Sequence, residues 1–243
     1  KKAFSAAVVH DVFNLMTLAV FFPIELLFHP IEKSASFLTS LFVGTNAVTF
    51  KSPLTLIISP AVNFLESAVF MKNPFLMLAA SIVILFASLN IFVRLAKPLA
   101  KSEFKDVIRN SIFKNPLRAF VFGVALTAFV QSSSVTTSLI VPVVAVGLLT
   151  VEKIYPYLLG ANIGTTITAI LAAVATGSSF ALTVALAHFV YNAFGIAVFY
   201  PLRAIPLNIS KWFTDKAIHS RRYAIAYIFT AFYLIPAILI FLL

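Results

Sequence analysis

The chain has no cysteine, one tryptophan, seven glycines and only eight acidic side chains in 243 residues. Without cysteine there are no disulfides, no thiolate metal sites and no thiol catalysis, and the redox compartment is left unread. Charged residues make up 11% of the chain, against roughly 25% in soluble domains, which excludes an ordinary soluble protein. What fills the sequence instead is apolar: 61% of residues are hydrophobic, gathered in the blocks 74–93, 155–175, 180–202 and 223–243. Each is about long enough to cross a hydrocarbon core. The blocks are continuous rather than alternating, which argues for helices and against barrel strands. The sequence therefore predicts an all-α polytopic membrane protein.

The net charge of +10 would raise nucleic acid as a partner in a soluble protein. Here the basic residues have positions that explain them. Seven lie between Arg94 and Arg118 and five between Arg203 and Arg222, all beside apolar blocks. Retention of positive residues on the cytoplasmic side accounts for both clusters, and no nucleic acid is expected. Two crossings, 155–175 and 180–202, separate residue 149 from the second cluster, so segment 117–149 must begin and end on the same side. Its 33 residues are too few for two full spans of about 20 residues each plus a turn. They fit a re-entrant hairpin with its tip at Gln131-Ser132-Ser133-Ser134, a depth at which non-helical backbone must be buried in protein or line a wet cavity. By the same bookkeeping, 1–28 ends with an outward span and 29–73 is an extracellular-side connection of interfacial or short helices. Residues 74–96 return as a transmembrane helix, 97–116 form a cytoplasmic amphipathic linker, and 203–243 hold a basic segment and a final span.

A shift of 178 positions lays Ala6–Pro23 over Val184–Pro201 with eight of eighteen pairs identical, among them His10/His188, Asn14/Asn192 and Pro23/Pro201. A shared His-x3-Asn and Pro at one offset is more than composition supplies. The charge argument sends the first copy outward and the second inward, so the repeats are inverted, as in many secondary transporters. The partner of Gln131 in the first copy would precede Lys1, so a first-repeat segment that completes the site is expected outside this chain.

Two polar constellations interrupt the apolar blocks. Gln131-Ser132-Ser133-Ser134-Val135-Thr136-Thr137-Ser138 suits the start of a half-helix, where unpaired N–H groups and the positive dipole end favour an anion. Gly160-Ala161-Asn162-Ile163-Gly164-Thr165-Thr166-Ile167-Thr168 carries two glycines that weaken a helix and side-chain oxygens suited to sodium, which suggests a transmembrane helix unwound at mid-membrane. Hydroxyls in membrane helices also back-bond to the preceding turn, and Gly-x3-Gly also serves helix packing. His10 with Asn14, and His188 with Asn192, each share a helix face. They read as supporting polar residues, each histidine neutral and hydrogen-bonded across helices, with a proton relay or ligand role as the alternative.

These motifs resemble the type II sodium/phosphate cotransporter family. The resemblance covers nearly all of 103–243 and residues 1–28. It implies sodium-coupled symport of inorganic phosphate across the plasma (inner) membrane by alternating access, with Na+ as coupling ion and no cofactor. It assigns Gln131, Ser132, Ser133 and Ser134 to phosphate, and Gln131, Ser132, Asn162, Thr165 and Thr166 to sodium, with Thr136 and Thr137 in support. The competing readings are a transporter of another oxyanion or carboxylate and, from a different class, a membrane electron carrier with His10 and His188 as haem ligands. No acid/base pair or activated nucleophile is present, so an enzyme is not expected.

Overall fold

The computed structural model describes residues 2–42, 53–69, 73–99 and 111–242. Every regular element among the described residues is helical: α1 (Lys2–Phe28), α2 (Pro30–Leu41), α3 (Pro53–Phe64), α4 (Pro74–Leu99), α5 (Pro116–Val130), α6 (Ser133–Ala145), α7 (Val151–Thr176), α8 (Ser179–Phe199), α9 (Ala204–His219), α10 (Arg221–Phe229) and α11 (Ile235–Leu242). A π turn, Leu65–Val69, follows α3, and another, Thr230–Leu234, joins α10 to α11 just before Pro236, whose ring cannot donate a helix hydrogen bond. Among the described residues, Lys2–Phe28, Val151–Thr176, Ser179–Phe199 and Arg222–Phe241 are long and apolar enough to cross a membrane. The chain is an all-α membrane protein. Residues 100–110, just over half of the expected amphipathic linker 97–116, lie outside the described residues; α4 itself continues past residue 96 to Leu99.

The helix boundaries follow local chemistry. Asn115 accepts the Leu117 N–H at 2.8 Å, and Pro116 fills the first helical position of α5, where no N–H is needed. Asn73 caps α4 by accepting from Phe75 and Leu76. The turn from α1 into α2 is closed from behind: Glu25 accepts the N–H groups of Ile31 at 2.7 Å and Glu32 at 2.9 Å. That carboxylate at a helix N-terminus is favourable for charge as well as for hydrogen bonding.

The buried centre is the first half of α7. Ile154, Tyr155, Tyr157, Leu158 and Leu159 are almost wholly enclosed, packed with Val9 and Phe13 of α1, Val144 of α6 and Phe199 of α8. Two phenols are anchored there, each needing a partner when buried. Tyr157 donates to the Thr136 carbonyl at 2.9 Å and Tyr155 to that of Phe199 at 3.3 Å.

One expectation is corrected. The Gly160–Thr168 stretch is not unwound: α7 runs unbroken for 26 residues. Its glycines make room for α5. A Cβ on Gly160 would collide with the backbone carbonyl of Phe120, one on Gly123 with that of Tyr157, and one on Gly164 would lie 2.6 Å from Thr127 Cβ and 2.7 Å from Val124 O. Small residues four apart let two helix backbones meet, and here that close approach outweighs the low helix propensity of glycine.

Contacts between α1 and the C-terminal helices progress in opposite directions. Ser5 meets Ser210, Phe13 meets Phe199, Thr17 meets Gly195 and Phe21 meets Phe194. The series continues where Thr39 of α2 bonds Thr183 of α8 at 2.9 Å, so α1 and α8 run in opposite senses. Their crossing point, Thr17 against Gly195, joins two positions separated by 178 residues. At one end of the bundle, Lys114 and Pro116 before and at the start of α5 line a cavity of about 290 Å³ with Glu152, Lys153 and Pro156 of α7 and Arg203. Both ends of segment 117–149 thus lie at the same end of the described bundle, where Lys114 and Arg203 share that cavity.

Candidate ion-binding site

Helix α5 ends because Gln131 adopts a left-handed conformation, φ 57° and ψ 28°, with its N–H on the Thr127 carbonyl at 2.7 Å. Ser132 is extended, and its Oγ accepts the Val135 N–H at 3.3 Å to begin α6. The Ser132 carbonyl accepts both the N–H and the hydroxyl of Thr136, which is fully buried. Thr137 donates to the Ser134 carbonyl at 3.2 Å. Ser133 is half-buried and Ser134 exposed. The break falls where the sequence placed the tip, and the first-turn amides of α6 point out of it with the positive end of the helix dipole.

Gln131 opens on a cavity of about 340 Å³, lined also by Thr165, Thr168, Ala169, Leu171 and Ala172 of α7 and by His188 of α8. Thr165 donates its hydroxyl to the Ala161 carbonyl at 3.0 Å, and Thr168 donates to that of Thr165 at 2.7 Å. With their protons committed, these oxygens face the cavity as acceptors. Acceptors suit a cation; the amide donors of the α6 N-terminus suit an anion.

The remaining candidates lie apart from this cavity. Thr166 is fully buried and donates to the Ile163 carbonyl at 2.7 Å. Asn162 is buried and turned toward α1: its Oδ1 lies 2.6 Å from His10 Nε2, and its Nδ2 donates to Asn14 Oδ1 at 3.0 Å. The assembly extends outward, with Tyr191 donating to the Asn14 carbonyl at 3.0 Å and Tyr227 to Asp11 Oδ2 at 3.1 Å. Asp11 Oδ1 is 3.5 Å from His10 Nδ1. Asn192 bonds within its own helix, to the His188 carbonyl. The reading of His10 and His188 as the two ligands of one haem fails on this placement, because His10 is engaged with Asn162 while His188 lines the cavity at Gln131. Sequence reasoning missed Tyr157, Tyr191 and Tyr227, whose phenols are ordinary apolar-block residues until their partners are seen.

Thr127, one turn before Gln131, carries the single buried side-chain polar atom lacking a hydrogen-bond partner among the described residues. A buried unsatisfied hydroxyl costs about 1–3 kcal/mol. Thr127→Val, which keeps the shape, is expected to leave thermal stability in detergent unchanged or raised, on the order of 1 kcal/mol. A lowered melting temperature would show that Thr127 has a partner.

Long apolar helices around a polar helix break, beside a cavity that Gln131, Thr165 and Thr168 line with neutral oxygens, define a helical membrane protein. Residues 83–207, just over half of the chain, match the family described as Na+/Pi-cotransporter, and the chain belongs to that family. Among its relatives, sodium-dependent phosphate transport protein 2C of Rattus norvegicus is 45% identical over 111 residues, 44% of this chain and 18% of the relative. Protein 2A of the same species is 34% identical over 179 residues, 67% of this chain and 28% of the relative. Protein 2B of Homo sapiens is 42% identical over 111 residues, 44% of this chain and 16% of the relative. The matches therefore span less than a third of these relatives' lengths. No solved structure matches the chain.

Proposed function

We propose that the chain carries one half of the substrate site of a sodium-coupled symporter of inorganic phosphate in the plasma membrane. The observation that carries this reading is the adjacency of two opposite chemistries at Gln131: donors at the start of α6, acceptor oxygens of Thr165 and Thr168 in the cavity beside it. Phosphate binds at the tip through Gln131, Ser132, Ser133 and Ser134. Sodium binds against Thr165, and its charge offsets that of the oxyanion where no lysine or arginine does so. A second tip of like chemistry completes the phosphate cage. The relatives' names, sodium-dependent phosphate transport proteins, agree with both solutes.

Alternating access is supported by two features. The common end reached by both termini of segment 117–149 favours a re-entrant hairpin. The opposed senses of α1 and α8 favour inverted repeats, which expose a midplane site to either side by moving against one another.

The test is phosphate uptake by the natural transporter in vesicles. Uptake should follow an imposed sodium gradient, and Thr165→Val should raise the half-saturating sodium concentration by about tenfold, the equivalent of about 1.4 kcal/mol. Uptake indifferent to sodium overturns the coupling. Stronger competition from sulfate or a dicarboxylate than from arsenate would move the substrate assignment to another anion.

A further inference from the structure

We propose that His10 and Asn14 of α1 are positioning residues for transport: together they clasp the Asn162 carboxamide and so set the rotation of the α7 turn that carries Thr165. The inference rests on the transport reading above and assigns Asn162 a role other than ion ligand.

The clasp closes at both ends of one side chain. Asn162 Oδ1 can only accept, so His10 Nε2, 2.6 Å away, carries the proton. Asn162 Nδ2 donates to Asn14 Oδ1 at 3.0 Å. His10 and Asn14 are one helical turn apart on the same face of α1, so the two contacts form a fork. Asn14 is itself held by Tyr191 on its carbonyl, and Asp11, next to His10 in the chain, is held by Tyr227 on its Oδ2. The carboxamide thus joins α7 to α1, and α8 and α10 in turn brace α1 beside it.

The position of Asn162 on α7 makes the clasp consequential. Gly160 and Gly164 flank it, and they meet α5 without side chains. That contact fixes the distance between the helices but offers no polar group to orient α7. Thr165 lies three residues on, about 60° around the helix from Asn162. If the carboxamide were released, a small roll of α7 would turn the Thr165 and Thr168 oxygens away from Gln131. Hydroxyls in transmembrane helices that merely glue their neighbours lack such a lever.

The experiment measures the sodium dependence and maximal rate of phosphate uptake by the natural transporter, normalised to the amount of folded protein. His10→Phe should raise half-saturating sodium by roughly tenfold, while His10→Gln, which retains an N–H near the Nε2 position, should stay within about threefold. In an Asn162→Leu background, His10→Phe should add little, because both remove the same contact. Asn14→Ala, which deletes only the acceptor for Nδ2, serves the same comparison if His10→Phe does not accumulate. Unchanged half-saturating sodium in the folded variants, or full additivity of His10→Phe with Asn162→Leu, overturns the clasp. A wild-type protein whose uptake ignores sodium overturns the transport reading instead, so the two failures are distinguishable.

Discussion

Gly160→Ala is expected to prevent α5 and α7 from docking and to remove most folded protein. The added methyl would be driven into the Phe120 carbonyl, with Val124 N only 3.1 Å away. These are backbone atoms, so no side-chain rotation makes room and the helices must move apart. Overpacking in a tight core costs typically about 1–3 kcal/mol and more where backbone must shift. The loss here should reach the upper end, because α5 meets α7 at three glycine positions in succession, and opening one loosens the others. Gly177→Asn is the control. Gly177 ends α7 with φ 65°, and nothing lies within 4 Å of an added Cβ. Asparagine tolerates that left-handed conformation, so its variant should melt within about 0.5 kcal/mol of the wild type. Size-exclusion profiles and thermal melts in detergent check both. Equal behaviour of the two variants would mean that α5 and α7 are not packed as described.

Gln131→Gly should separate function from stability. Gln131 sits at φ 57°, where a side chain is strained and glycine is not, so this substitution should preserve or raise stability by up to about 1 kcal/mol. It also deletes the carboxamide that faces the cavity with Thr165 and Thr168. Hydrogen bonds to charged groups are worth about 1.5–3 kcal/mol, so apparent solute affinity should fall by about 10- to 100-fold. Normal melting with failed uptake is the expected pattern. Normal uptake would place the binding site elsewhere.

How much of this was legible in the sequence depended on whether a residue's neighbours are close in the chain. The break at Gln131 and Ser132 was visible because helix capping is local: serines after an apolar run can satisfy amides two or three residues away. The cross-helix bond of His10 was anticipated because a histidine inside an apolar block must find a polar partner. Its identity, Asn162, lies 152 residues away, beyond the reach of any local pattern. The Gly160–Gly164 stretch misled for a related reason. Glycine weakens a helix and also admits a close neighbour; the sequence shows the first property, whereas the second depends on Phe120 and Val124 standing opposite. The capping of α2 by Glu25 was hidden because it reaches back across a helix boundary.

The crossing of α1 and α8 ties the size of one residue to the size of another. Thr17 and Gly195, which the 178-position shift of the sequence superposes, touch: a Cβ on Gly195 would sit 2.6 Å from both Cγ2 and Oγ1 of Thr17. Threonine at both positions would clash at this point. Glycine in both would leave a gap between two buried helices. A change of size at either residue must therefore be answered by the opposite change at the other.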